Sequence, residues 1–256
     1  MAMSRRELIL REMGLTPVWK ARHAAGGLDE PAEAPPVAAP TRAFVEDQEA
    51  GAQTPSVARE ARIAKMDWVE LKAAVPECTA CALHASRTQS VFGVGDEDAD
   101  WLLVGEAPGA EEDQAGEPFV GQAGRLLDAM LAAIGLSRDR NVYIANVLKC
   151  RPPGNRNPEP GEVARCAPHL ARQIELVRPR LVLAMGRFAV QALLNTSASI
   201  ASLRGKVHSS HGVPLIATYH PAYLLRTPED KAKAWQDLLF AVHTMQGLQP
   251  AAAVPI

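Results

Sequence analysis

Residues 101–109, WLLVGEAPG, run from four apolar side chains straight into a turn carrying glycine and proline. A short apolar run bounded by turn residues predicts a strand buried on both faces. Three more such runs follow, at 142–147 (VYIANV), 181–185 (LVLAM) and 215–218 (LIAT). Helical patterns separate them at 121–134, 160–177 and 187–194, and a last one lies near 228–245. Strands alternating with helices imply right-handed crossovers. The expected fold is therefore α/β: a three-layer α/β/α sandwich around a central four-stranded parallel sheet. Sites in such sheets lie beyond the carboxyl ends of the strands. In this chain those ends run into GEAPGAEED, KCRPPGNRNP, GRFAV and YHPAYLLR.

Outward from this core the texture changes. Residues 4–22 place Leu8, Leu10, Met13 and Leu15 at helical spacing before Pro17, so 1–23 reads as a short N-terminal helix and a possible partner-binding element. Residues 24–65 are rich in Ala, Pro and acidic side chains. They read as a flexible linker that cannot bury enough apolar surface to offset its ordering entropy, so the N-terminal extension is expected to be disordered. Residues 66–246 form the expected domain, and 247–256 a frayed tail. The chain of 256 residues is 47% hydrophobic with a net charge of −2, ample for a core and without a global basic field. The sequence contains no apolar run long enough to span a membrane and no secretory leader pattern. A cytoplasmic, nucleoid-associated monomer is the expectation.

The four cysteines are Cys78, Cys81, Cys150 and Cys166. In a reducing compartment they read as ligands or free thiols rather than disulfides. Structural zinc sites usually pair two close CxxC knuckles, whereas the second pair here is widely spaced. Iron–sulfur clusters accept mixed spacings, so the pattern favours a [4Fe–4S] cluster over zinc. Four unrelated buried cysteines are the bland alternative.

The turn after the first strand has neither the P-loop lysine nor GxGxxG spacing, which weakens a nucleotide-binding reading. Taken in order, GEAPG-x2-ED, G-x-PFVG-x-AG-x-LL, N-x2-KCRPPGNR-x-P, the Cys166 spacing, Arg204-Gly205 and HPAYLLR resemble the family 4 (type a) uracil-DNA glycosylases. The resemblance covers about residues 66–246. It implies a [4Fe–4S] cluster on the four cysteines and excision of uracil from single- or double-stranded DNA.

A base must be flipped out of the duplex before its glycosidic bond can be reached. The resemblance places the stacking face at Phe119 and the uracil-reading amide at Asn146, within a pocket bordered by Ala107, Pro108 and Gly109. His220 resembles the family's donor to the departing O2. In family 1 relatives an aspartate stands where this chain has Ala107, so no carboxylate base can act from there. Glu106, Glu112 and Asn155 remain as catalytic candidates: Asn155 to position water or its loop, Glu112 to shape the pocket against a thymine methyl, Glu106 to support its loop. Leu225 looks like a wedge into the base stack, with Arg226 and Arg204 expected on the DNA.

Two other function classes are possible from the residues. A covalent uracil-DNA-trapping relative would carry a histidine on an inserted loop after the second strand, and the short KCRPPGNRNPEP has none. An iron–sulfur electron-transfer protein would have no use for Phe119, Asn146 and His220 together.

Overall fold

The computed structural model describes residues 55–248. The expected helix within 1–23, the linker as far as residue 54 and the tail from 249 lie outside the described residues. One boundary moves. Helix α1 (Pro55–Ile63) and helix α2 (Trp68–Ala74) precede the sheet, so the ordered domain begins inside the segment expected to be linker. Ile63 is 1% exposed, and the Arg59 guanidinium donates to the carbonyl of Arg165 at 3.0 Å. These long-range contacts hold a segment whose composition alone would not order it.

The chain continues through β1 (Val94–Gly95), β2 (Trp101–Gly105), α3 (Ala110–Ala115), α4 (Gln122–Ala133), β3 (Val142–Asn146), α5 (Pro160–Val177), β4 (Leu181–Met185), α6 (Arg187–Leu194) and α7 (Ile200–Leu203). It ends with β5 (Val207–Ser210), β6 (Val213–Thr218), α8 (Pro221–Arg226) and α9 (Lys231–Gly247). The strand order is β1-β3-β2-β4-β6-β5. The four expected strands are the parallel centre, β3-β2-β4-β6. The expectation of a four-stranded parallel sheet is corrected to a mixed sheet of six, because β1 and β5 add antiparallel edges. Neither edge carried an apolar signal: β1 has two residues, and β5 is largely exposed with one side chain buried. A two-residue turn, His211 (φ 51) and Gly212 (φ 78), joins β5 to β6. Positive φ at both turn positions suits the twist of a hairpin.

The central strands are buried along their whole length, as sheets covered on both faces require. Alternate residues point to opposite layers. Leu102, Val104, Ala145, Val182 and Ala184 pack with Leu170, Ile174 and Val177 of α5 and Val190 of α6. Leu103, Ile144, Leu183 and Ile216 pack with Leu127 and Leu131 of α4 and Leu238 of α9. Each large side chain buried in this way contributes about 1.5–3 kcal/mol. The two helical layers leave the carboxyl ends of β3, β2, β4 and β6 side by side. The connections after β2 and β4 lead to opposite sides of the sheet, which opens a crevice between those two strands.

Candidate active site at the carboxyl ends of the strands

Asn146 is the last residue of β3, paired in register with Gly105 at the end of β2. Gly105 clears the space between them. A Cβ at that position would lie 2.4 Å from Asn146 Oδ1 and 2.6 Å from Phe119 Cζ. The missing side chain thus lets the amide and the ring approach over the strand end. Asn146 is 2% exposed, and its Oδ1 is buried without a hydrogen-bond partner among the described residues. Leaving a buried acceptor unpaired costs about 1–3 kcal/mol, so this atom is set up to receive a donor.

Phe119 is also buried, and its φ of 56 is unusual for a bulky residue. The loop that holds it there is clamped from both sides. Arg138 donates to the carbonyls of Pro118 and Phe119, at 3.3 and 2.9 Å, while Asp128 anchors its guanidinium at 2.7 Å. Glu112 accepts from the backbone N–H groups of Gly109, Val120 and Gly121. The Glu112 carboxylate therefore ties the turn after β2 to the Phe119 loop. Gly124, in the first turn of α4, permits that closeness, since a Cβ there would fall 1.7 Å from the Phe119 carbonyl oxygen.

His220 follows β6 and caps α8, with Pro221 at the first helical position. The Ala222 backbone N–H donates to Nδ1 at 3.1 Å. That bond makes Nδ1 the acceptor and leaves the proton on Nε2 in the neutral ring. Burial pushes the His220 pKa down to about 4, helped by the Arg226 charge and opposed by Glu112. His220 is thus neutral at pH 7. Its ring lies 5.4 Å from that of Phe119 with an interplanar angle of 28°.

A cavity of about 550 Å³ opens beside these groups, lined by Glu106, Asn157, Arg187, Tyr219, His220 and Arg226 among others. Burial raises the Glu106 pKa to about 7, against the lowering effect of Arg187. A larger cavity of about 770 Å³ lies between α1, α2 and the Cys78 loop, away from the meeting point of Asn146, Phe119 and His220.

The other expected site residues divide. Leu225 is 40% exposed on α8, and Arg226 beside it is exposed. Arg204, expected on the DNA, turns inward. It donates to Asp237 at 2.6 Å and to the Lys233 carbonyl, and lies over the Tyr219 ring at 4.7 Å. The buried Asp237 draws it away from solvent. Asn155 is exposed and accepts from Arg151 at 2.7 Å, and the residue of that loop that lines the cavity is Asn157. Ala107 packs toward Leu83, Leu148 and Cys150 rather than into the cavity, while Pro108 is buried and Gly109 caps α3. Arg138 lies in no motif of the sequence, while Asn157 and Arg187 lie in KCRPPGNRNP and GRFAV without standing out there.

All four cysteines border one narrow space of about 20 Å³, together with His84, Lys149 and His169. Among the described residues no three His, Cys, Asp or Glu side chains converge closely enough to hold a single metal ion. The sulfurs share a region rather than a point. Several donors surround them: Arg87 to Cys150 Sγ at 3.0 Å, Arg59 to Cys78 Sγ at 3.5 Å, and the Lys149 backbone N–H to Cys166 Sγ at 3.3 Å. His169 is 2% exposed, with Nε2 at 3.0 Å from Arg59 and Nδ1 buried without a partner. Among the described residues no helix is long and apolar enough to cross a membrane.

Residues 92–239 match the model of the uracil DNA glycosylase superfamily. The chain is 48% identical over 163 residues to the type-4 uracil-DNA glycosylase of Archaeoglobus fulgidus, spanning 60% of this chain and 81% of the relative. It is 44% identical over 161 residues to the type-4 enzyme of Thermotoga maritima, spanning 62% and 83% respectively. A type-5 uracil-DNA glycosylase of Pyrobaculum aerophilum is 38% identical over 146 residues, spanning 51% and 64%. The chain belongs to the uracil-DNA glycosylase superfamily and groups with its type-4 members.

Proposed function

We infer that the chain is a DNA-repair hydrolase that flips uracil out of DNA and cleaves its N-glycosidic bond, leaving an abasic site. Family membership supplies the substrate class, and one observation carries the site assignment: the buried, unpartnered Oδ1 of Asn146, which shares the space over Gly105 with the Phe119 ring. A flipped uracil stacks on Phe119. Its N3–H donates to Asn146 Oδ1, and the amide NH₂ donates to O4. Cytosine has an acceptor at N3 and a donor at C4, so it leaves both Asn146 groups facing their own kind. A site built around such paired polar groups rejects the wrong base strongly.

As the C1′–N1 bond breaks, its electron pair leaves with uracil and negative charge builds at O2. His220, held as the Nε2–H tautomer by the Ala222 N–H, donates to that oxygen. One such preorganised donor is worth about 10²–10³ in rate. The sugar gains oxocarbenium character, and a water oxygen bonds to C1′. Glu106 is the carboxylate that lines the cavity, and a pKa near 7 suits it to take the water's proton. Glu112, occupied by three backbone N–H groups, holds the pocket loops. Leu225 enters the vacated stack, which costs a few kcal/mol of unstacking, and Arg226 meets the phosphates.

Cys78, Cys81, Cys150 and Cys166 would hold a [4Fe–4S] cluster. The donor chemistry fits: four thiols border one space, N–H donors face three of the sulfurs, and the His169 Nδ1 is buried and orphaned beside them. When bound, the cluster supplies a crosslink between the start of the domain, the loop after β3 and α5. The chain's own side chains carry every chemical step.

The test is single-turnover uracil release from a uracil-containing oligonucleotide, read as alkali-sensitive strand cleavage. Asn146→Ala and His220→Ala should each slow release by 10²-fold or more while the protein stays folded. Wild-type rates in both would remove the site assignment.

A further inference from the structure

We propose that Lys149 is a positioning residue for uracil recognition, aiming the Asn146 amide through the peptide group that follows it. This rests on Asn146 being the base reader. A lysine is almost never fully buried unless paired, yet Lys149 is 1% exposed and, among the described residues, no carboxylate is one of its hydrogen-bond partners. Its ammonium reaches back along the chain and donates to the Asn146 backbone carbonyl at 2.8 Å. It also donates to Gln173 Oε1 at 2.5 Å. Gln173 is 0% exposed and is itself held, donating from Nε2 to the Phe92 carbonyl at 2.9 Å and the Tyr143 hydroxyl at 3.4 Å.

The peptide joining Asn146 to Val147 is therefore fixed at both ends. Its carbonyl takes the Lys149 ammonium, and its N–H, on Val147, donates to the Gly105 carbonyl at 3.0 Å. Two fixed ends set ψ of Asn146 at the end of the strand, where the ladder bond to Gly105 holds the N–H side of the peptide and Lys149 holds the carbonyl side. With the backbone set, the Cα–Cβ bond can point only into the slot cleared by Gly105. A charge-assisted bond in a dry interior is about twice as strong as a neutral one, which suits an anchor at a strand end. The same residue touches the cysteine region, through its backbone N–H on Cys166 Sγ.

The experiment measures Tm, the affinity for free uracil and the single-turnover excision rate. Wild type and Asn146→Ala are run alongside: if wild type releases no uracil, or Asn146→Ala matches it, the reading of Asn146 fails, not the role of Lys149. Given those controls, Lys149→Met should weaken uracil binding and slow excision at least tenfold, with a lower Tm. Lys149→Met combined with Gln173→Leu removes both partners of the bond, which relieves much of the cost of an orphaned buried group. The double variant should regain part of the lost Tm, because the Phe92 carbonyl loses its Gln173 donor, but not uracil affinity. Recovery of affinity together with Tm would show that Lys149 serves stability only, and overturn the proposal. Gln173→Leu alone keeps the ammonium but frees it, and should weaken uracil binding severalfold. Gln173→Glu keeps the acceptor and should recover that loss. Wild-type affinity in Gln173→Leu would overturn the proposal even if neither Lys149 variant folded.

Discussion

Gly105→Ala adds one methyl group at the point where the site is narrowest. The new carbon would sit 2.4 Å from Asn146 Oδ1 and 2.6 Å from Phe119 Cζ. Comfortable non-bonded contacts lie near 3.5 Å or beyond, so the amide and the ring must each retreat by about 1 Å. A displacement of about 1 Å in a positioning group can cost about 10²-fold in rate, or close to 2.7 kcal/mol of transition-state stabilisation. Stability should change less. Overpacking costs about 1–3 kcal/mol, and exchanging Gly for Ala recovers about 0.4–1 kcal/mol by restricting the unfolded chain. The assay is single-turnover uracil release with Tm measured in parallel. Gly161→Ala is the control: it lies in the first turn of α5, has nothing within 4 Å of its added Cβ, and should leave the rate unchanged. The expected result is a rate about a hundredfold lower in Gly105→Ala, with a Tm within several degrees of wild type. A wild-type rate would refute the reasoning, because the slot would then not set the positions of Asn146 and Phe119.

Burial raises the Glu106 pKa to about 7, so excision should rise with pH and level off above about 7, as the carboxylate form takes over. Glu106→Gln should lose that limb, and an unchanged profile would exclude Glu106 as proton acceptor. The same shift has a stability consequence. A raised carboxyl pKa means the fold favours the neutral acid, so this contribution is present below the ordinary value of 4.5 and fades as pH rises through 7; urea midpoints of wild type and Glu106→Gln compared from pH 5 to 8 should converge at the acid end. Leu225→Ala should slow release from double strands more than from single strands, since only a duplex has a stack to refill; equal effects on the two would argue against a wedge. Cys150→Ala should abolish any visible iron–sulfur absorbance of anaerobically purified protein and lower its Tm, whereas a colourless, zinc-containing wild type would overturn the cluster.

Much of the fold was legible because a strand buried on both faces writes a continuous apolar run. Trp101–Gly105, Val142–Asn146 and Leu181–Met185 all obey this. The edge strands were not legible: β1 is two residues long, and β5 (VHSS) has one apolar residue, Val207, which is half exposed while Ser210 is the buried one. Helix α1 was hidden for a related reason. Its only large apolar side chains are Val57 and Ile63, and long-range contacts such as Arg59 with Arg165 and His169 order it. In the site, Asn146, Phe119 and His220 stood out through their motifs. Arg204 read as a surface cation and proved to be the partner of a buried aspartate thirty-three residues later.

The chain's order of apolar runs and motifs was enough to determine the parallel centre of the sheet, the strand ends where chemistry gathers, and the residue types a uracil pocket needs. Those properties are local, set by periodicity and turn chemistry over a few residues. Only the tertiary structure decided what each polar group faces. It left the Asn146 amide oxygen unpaired, turned Glu112 into a clamp on the Phe119 loop, drove Glu106 and His220 toward neutrality by burial, and sent Lys149 inward to a carbonyl. Desolvation depends on neighbours distant in sequence, and even the near partners, Asn146 for Lys149 and the 109–121 backbone for Glu112, are chosen only once the fold has closed around them.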